Sequence, residues 1–274
     1  MTTGREDQRV TVRDVTAFLE TRFPKKLACE WDNVGLLVGD DRETLHTVFI
    51  ALDATDSAVE EAAEAGAELF VAHHPLIFHG LHQVTAEDYI GGRVMRLIQK
   101  GMACYAAHTN FDVTVMADLA SEKLGLHDCA VLQPAGTWSE NGEPEKIVGI
   151  GKIGMLSGEM RLSDCAADVK KQFDLTSVRV FGNPDRSVHH AAICPGSGKS
   201  VIEDAIRLGA QVLITGDIDH HAGIDAAARG LSVIDAGHYG LEKIFLPYMQ
   251  DTIGKAFPEL TVVRRKEQSP FVDL

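Results

Sequence analysis

The chain has 274 residues, of which 45% are hydrophobic and 24% charged, so it can bury one large core or two medium ones and is neither disordered nor fibrous. Acidic residues outnumber basic ones 40 to 26, and the formal charge of -14 makes nucleic acid a disfavoured partner. The longest apolar runs have about five residues, against roughly 20 in a membrane span, and the polar N-terminus lacks a secretory signal. We therefore expect a cytoplasmic protein with no membrane contact. Five cysteines without a C-x-x-C pair indicate reduced thiols.

The first half of the chain alternates predicted helices and strands. An amphipathic helix over residues 11–23 is followed by an apolar strand at 48–52. A helix, a Gly-Ala turn and a buried strand are predicted over 59–72. The strand at 104–107 then runs into a histidine, with a carboxylate four residues later, and a helix follows at 117–124.

The second half repeats this order. Residues 161–173 resemble the first helix, 202–215 resemble 59–72, and 229–242 resemble 100–112. A Gly-rich polar stretch over 134–144 is the predicted linker, and a strand at 147–154 opens the second copy. The pattern predicts an α/β fold of two similar repeats, an internal duplication, with residues 1–133 in the first repeat and 134–274 in the second. The C-terminal segment can also pack on the first repeat.

Four predicted strands end in side chains that can bind metal ions, and α/β proteins build sites at such strand ends. Imidazole and carboxylate ligands select borderline divalent ions such as zinc, iron, manganese or nickel, and a bridging carboxylate can hold two of them. The duplication would bring the two sets together at the interface of the repeats. The side chains that follow the strands are His73 and His74, His108 and Asp112, Asp217 with His220 and His221, and His238 and Glu242.

Structural interpretations compete at each of these positions. His73 and His74 can lie in a solvated turn, Asp112 can cap a helix, and Glu242 can be an ordinary first-turn residue. The strand ends and the repeat favour ligation in all three cases. For His220 and His221 an exposed, capped turn is as good an explanation as a site, and their role stays open. The Pro195–Ser200 turn ends in GKS but lacks the first glycine of a Walker A loop, so it is predicted to be a strand-to-helix turn.

These motifs together resemble the Nif-three-like family of dinuclear metal-centre proteins, many of which are labelled GTP cyclohydrolase I type 2. The similarity covers nearly the whole chain in the family's order and corresponds to the short form, without a middle insertion. The matching segments are WDNVGLLVG (31–39), AHHPLIF (72–78), HTNFD (108–112), TGD and HH (215–217 and 220–221), and GHYGLE (237–242).

The resemblance implies two α/β domains, two divalent metal ions per chain (Zn, Fe, Mn or Ni) and a ring-shaped homohexamer. Its metal ligands fall on His73, His74, Asp112, His238 and Glu242, with Glu242 as the bridge. His108, the predicted catalytic residue, is placed behind the ligands, where it orients a ligand or shuttles a proton. Two functions stay open: a metal-dependent hydrolase of the GTP cyclohydrolase or phosphoester type, acting on a nucleotide or another anionic small molecule, and a non-catalytic protein for metal binding, metal delivery or interaction.

Overall fold

A computed structural model describes residues 9–139, 143–266 and 269–271 of the chain. The chain forms two compact units. Of the described residues, the first contains 9–110 and 245–266, and the second contains the rest. The boundary between the units lies after Asn110, whereas the first predicted repeat ends at residue 133. The boundary comes earlier because the segment after Asp112 packs with the second sheet.

The first unit is a five-stranded sheet with helices. A capping box between Thr11 and Asp14 begins its first helix, and Thr55 and Asp88 cap the next two through their side chains. The strand order is β1-β4-β3-β2-β11; β1 is antiparallel to β4, and the other pairs are parallel. The helices are α1 (Val12–Arg22), α2 (Asp56–Glu64), α3 (Tyr89–Gln99) and α10 (Phe245–Ala256), with a 3-10 turn at Lys25–Leu27. The strands are β1 (Gly35–Val38), β2 (Thr47–Ala51), β3 (Leu69–Ala72), β4 (Ala103–Ala106) and β11 (Thr261–Arg264).

The second unit is a six-stranded sheet in the order β5-β6-β8-β9-β10-β7. Strands β8, β9 and β10 are parallel, whereas the other pairs are antiparallel. Its strands are β5 (His127–Trp138), β6 (Lys146–Arg161), β7 (Arg179–Phe181), β8 (Ser187–Ser197), β9 (Val212–Gly216) and β10 (Ser232–Asp235). Its helices are a π-helix at Asp112–Met116, α5 (Ala117–Leu124), α6 (Leu162–Gln172), a 3-10 turn at Gly198–Val201, α7 (Ile202–Arg207), α8 (His220–Ala228) and α9 (His238–Glu242). The short helix α4 (Thr109–Phe111) lies at the point where the chain passes from one unit to the other.

The two sheets repeat one arrangement, which confirms the predicted α/β class with two similar domains. In each, three parallel strands are flanked by an antiparallel strand beside the last of them: β2-β3-β4 with β1, and β8-β9-β10 with β7. The predicted linker differs, since Pro134–Trp138 belongs to β5 and pairs antiparallel with β6. A register shift between Pro134 and Gly136 lets β5 accommodate these two residues while it stays paired. Residues 140–142 of that linker, and residues 1–8 of the polar N-terminus, lie outside the described residues.

Each unit buries its own apolar core. Phe49, Phe70 and Leu97 are buried in the first, and Phe173, Ile193 and Ile214 in the second. The central strands are apolar on both faces, as expected for parallel strands covered by helices. Their carboxyl ends are therefore where polar side chains can gather. None of the helices within the described residues is long and apolar enough to cross a membrane.

Candidate metal sites

Three imidazoles meet at the carboxyl edge of the first sheet. His73 and His74 directly follow β3, and His108 follows the adjacent parallel strand β4 after one intervening residue. One ring nitrogen of each lies within 4.8 Å of the others. The His73 side chain is fully buried, and its ring centroid lies 4.8 Å from that of His74 and 5.2 Å from that of His108. Three imidazoles this close can share a cation when they are neutral.

A hydrogen bond at Nδ1 orients each of these three rings. When Nδ1–H donates to an oxygen, the neutral imidazole carries its lone pair on Nε2, which is the form that binds a metal ion. Such oxygen partners behind ligating histidines fix the tautomer and the direction of the ring. The acceptors are the carbonyl oxygen of Ala107 for His73 at 2.8 Å, Oδ1 of Asp53 for His74 at 2.8 Å and Oδ1 of Asp32 for His108 at 2.9 Å.

Asp32 is the most constrained of these acceptors. Its second oxygen accepts hydrogen bonds from the backbone N–H of Thr109 at 3.0 Å and from the Thr109 hydroxyl at 2.5 Å. Burial opposes its ionisation, but the hydrogen bonds from His108 and Thr109 outweigh burial and lower the pKa of Asp32 to about 2. The carboxylate is therefore ionised at neutral pH and holds His108 in a single orientation.

The second unit gathers one histidine and two carboxylates. His238 begins α9 after β10, and Glu242, the last residue of that helix, is 3% exposed. Nε2 of His238 lies 2.9 Å from Glu242 Oε2, and carboxylate oxygens of Asp112 and Glu242 lie within 4.8 Å of each other. Nδ1 of His238 is 2.8 Å from Oδ2 of Asp217, which follows β9, so Nε2 again faces the ligand side. Two carboxylates beside an imidazole attract a cation strongly.

The competing interpretations of the carboxylates do not match their surroundings. Asp112 lies inside a continuous helical stretch, at the first residue of the π-helix, and does not cap a helix. Such π-turns are frequent at functional sites. Glu242 is buried, whereas an ordinary first-turn glutamate is exposed.

The backbone at Gly196 lies close to the Glu242 carboxylate, and the missing side chain of glycine leaves room for it. Gly196, near the end of β8, has a φ of +75°, and a Cβ added there would collide with Oε1 of Glu242.

The neighbouring Cys194 is buried, and desolvation together with the charges of Asp112 and Glu242 raises the pKa of its thiol to about 12. The thiol is protonated at neutral pH, so Cys194 is not a thiolate nucleophile.

Replacing Gly196 with alanine is expected to displace Glu242 and reduce the divalent-ion content of the purified protein. Gly209 is a matched control, because its φ is +78° and an added Cβ would meet no atom within 4 Å. Both variants share a backbone cost of about 1–2 kcal/mol for the left-handed conformation, so thermal unfolding should shift in both. Elemental analysis should show a loss of ions only in Gly196→Ala. Equal ion content in the two variants would contradict a role of Gly196 in positioning Glu242.

Other positions singled out by the sequence lie apart from these groups. His220 and His221 are exposed at the start of α8, which Asp219 caps, and among the described residues neither joins a group of three possible ligands. In the GKS turn, Gly198 packs against Thr215, and Lys199 pairs with Asp219 at 2.6 Å. As the glycine spacing indicated, this turn connects a strand to a helix.

Sequence reasoning did not pair the orienting carboxylates with their histidines, although it singled out Asp217 as a strand-end residue. Asp53 bonds His74 and Asp217 bonds His238, and in each pair the carboxylate follows one parallel strand and the histidine follows the next. Each pair is separated by 21 residues, the length of one strand-helix-strand crossover. That recurring spacing is the signal that could have revealed them.

The donor chemistry of both groups fits borderline divalent ions. Neutral imidazole Nε2 atoms and ionised carboxylates favour zinc, iron, manganese or nickel over calcium or magnesium, which prefer oxygen ligands. The structure thus contains histidine and glutamate groups that can bind a metal ion, carried by an α/β protein of two similar units.

The chain belongs to the Duf34/NIF3 (NGG1p interacting factor 3) family, whose sequence signature matches residues 10–270. The family resemblance drawn from the motifs is confirmed. A relative from Lactococcus lactis, called a GTP cyclohydrolase 1 type 2 homolog, is 34% identical over 269 residues, which cover 96% of this chain and 99% of that protein. One of the same name from Clostridium acetobutylicum is 32% identical over 235 residues, covering 84% of this chain and 85% of the relative. These coverages agree with the short form.

Solved structures share the fold over almost the whole chain. A Bacillus cereus protein related to NIF3 superimposes with a TM-score of 0.90 at 26% identity, covering 97% of this chain and 99% of that one. Reduced HcgD from Methanocaldococcus jannaschii superimposes with a TM-score of 0.80 at 26% identity, covering 94% of this chain and 98% of that one. The two-unit α/β architecture is thus shared with these proteins.

Proposed function

We propose that the chain is a dinuclear metal-binding protein and a metal-dependent hydrolase of the GTP cyclohydrolase 1 type 2 kind. His73, His74, Asp112, His238 and Glu242 would be the ligands of two divalent ions. The observation that carries the proposal is the orientation of every histidine in this set through Nδ1, which directs Nε2 to the ligand side. Two ions per chain are inferred from the duplicated arrangement and from family membership.

His108 and Asp32 serve proton transfer in this proposal. Divalent cations supply Lewis acidity and bring the pKa of water toward neutrality. The chain supplies a proton carrier: Nδ1–H of His108 is held by Asp32, so Nε2 is the atom that takes up or releases a proton. Because Asp32 stays ionised, it also stabilises the protonated imidazole during transfer.

The proposed substrate is an anionic small molecule, with ring opening of GTP as the named reaction. Its support is the name of the relatives, GTP cyclohydrolase 1 type 2 homolog. A chain of charge -14 repels phosphates, so cations at the site are needed to attract such a substrate.

Metal-reconstituted protein screened against guanine nucleotides and phosphoesters tests the proposal, beside a Glu242→Gln control. Turnover that requires added ions and vanishes in the control is the expected result. If no substrate shows turnover above that control, the hydrolase proposal is wrong. A non-catalytic role in metal binding, metal delivery or interaction then replaces it.

We expect the purified protein to be a homohexamer, as the family resemblance implies. Light scattering coupled to size exclusion should give a mass near six times 29.7 kDa. A single chain at micromolar concentration would contradict this expectation.

A further inference from the structure

An exposed aromatic pair lies beside the histidine group of the first unit. Trp31 is 59% exposed and Phe78 is 40% exposed, and their ring centroids are 5.7 Å apart at an interplanar angle of 46°. The Trp31 ring also stands edge-on to His108, with the centroids 6.0 Å apart. Single exposed hydrophobic residues are ordinary, but an aromatic pair next to convergent polar groups is typical of a ligand site.

Hydrogen bonds of the adjacent residues hold this pair in place. The Asn33 side-chain amide donates to the carbonyl oxygen of Ile77 at 2.5 Å, which ties the Trp31 segment to the Phe78 segment. Asp32, next to Trp31, is fixed by His108 and Thr109. The rings are therefore positioned before a ligand arrives, and a preorganised surface loses little conformational entropy on binding.

We propose that Trp31 and Phe78 form a stacking platform for a planar heteroaromatic ring of the nucleobase class. This inference rests on the proposed function and adds the part of the site that recognises the substrate's ring. The tilt between the two rings lets a flat ligand stack on the face of one and contact the other at its edge, both favourable aromatic geometries. A neutral ring also gains affinity without the charge repulsion that an acidic chain imposes on phosphates.

The position of the platform fits ring chemistry at the histidine group. Trp31 touches His108, and His108 in turn lies 5.2 Å from His73 and 5.5 Å from His74 between ring centroids. A base stacked on Trp31 would therefore lie beside this group of imidazoles. Such stacking is worth about 1–3 kcal/mol per base.

Tryptophan fluorescence of the full-length protein measures this stacking directly. The chain has two tryptophans, of which Trp31 is exposed and Trp138 is 7% exposed. Titration of metal-free protein with guanosine should quench Trp31, and ribose 5-phosphate, which lacks the ring, should not. In Trp31→Phe the quenching should vanish while equilibrium dialysis still detects guanosine binding.

Removal of the platform ring should weaken guanosine binding. We expect Trp31→Ala to raise the Kd for guanosine roughly 5- to 150-fold, the equivalent of the stacking energy. Tyr89→Ala is the matched control: Tyr89 is 69% exposed in the same unit, beneath Arg93, and its loss should leave the Kd unchanged. Circular dichroism of each variant checks the fold.

Three results would overturn the platform. The first is no guanosine binding by the wild-type protein up to the solubility limit, and the second is an unchanged Kd in Trp31→Ala. The third is protection of Trp31 from acrylamide quenching in the free protein together with an altered molecular mass of the Trp31→Ala protein. The last would assign the pair to a contact between copies of the chain. Because the titration uses metal-free protein, the two proposals can fail separately. Guanosine binding without any turnover would contradict only the hydrolase proposal. Turnover of a phosphoester that has no ring, without guanosine binding, would contradict only the stacking platform.

Discussion

Glu242→Gln is expected to weaken divalent-ion binding by at least about 100-fold. The carboxylate is buried, contacts His238 and lies within 4.8 Å of an oxygen of Asp112, so it is the central anion of the second unit's ligand group. Loss of a residue that merely orients a ligand costs 10–100-fold in metal affinity, and loss of an anionic ligand should cost no less. Elemental analysis and chelator competition measure the loss.

The metal-free form of Glu242→Gln should be as stable as the wild type or more so. Two carboxylates this close repel each other without a cation, and an amide of the same shape removes that repulsion. Added ions should therefore raise the melting temperature of the wild type but not that of the variant, since an ion at 100 times its Kd stabilises by about 2.7 kcal/mol.

Glu203→Gln is the matched control for this prediction. Glu203 is an exposed carboxylate of the same unit, paired with Arg229, so its loss should leave ion content and the ion-dependent melting shift unchanged. Ion content in Glu242→Gln equal to that of the control would remove Glu242 from the ligand set.

The placement of the histidines followed from strand patterns, whereas their orientation did not. Buried apolar strands that run into His73 and His108 can be recognised in the sequence, because parallel strands covered on both faces are continuously apolar. The carboxylates that orient His74 and His108 come from another strand end and from a separate loop, and they meet these histidines only in the fold. Hydrophobic periodicity carries no information about such pairings.

The packing units and the predicted repeats divide the chain at different positions. The sequence similarity between the halves identifies copies of one strand-helix arrangement, but it does not determine which sheet a connecting segment joins. Residues 111–133 belong to the first predicted repeat, yet they lie in the second unit, where β5 pairs with β6 along most of its length. Similarly, β11 pairs in parallel with β2 and completes the first sheet. The long-range pairing of β5 and β11, and not their order in the chain, determines which sheet each of them joins.

His108 occupies the same position in the first unit that His238 occupies in the second. It follows β4 in the first unit, as His238 follows β10 in the second, and each histidine is followed four residues later by a carboxylate. His238 contacts its carboxylate, Glu242, whereas His108 bonds Asp32 and lies within 4.8 Å of ring nitrogens of His73 and His74. The position of His108 is therefore compatible with proton transfer and with ligation, and a variant separates the two roles.

We expect His108→Ala to lower turnover by roughly 10²–10⁴ while the ion content stays nearly intact, because general acid-base catalysis contributes a factor of this size. Turnover is measured on the substrate found in the nucleotide and phosphoester screen, with elemental analysis of the same preparations. Asp32→Asn is the companion variant: the side-chain amide keeps the shape but loses the charge that stabilises protonated His108, so its turnover should fall less than that of His108→Ala. If His108→Ala instead loses one ion per chain, His108 is a ligand, and the proton must be carried by another group.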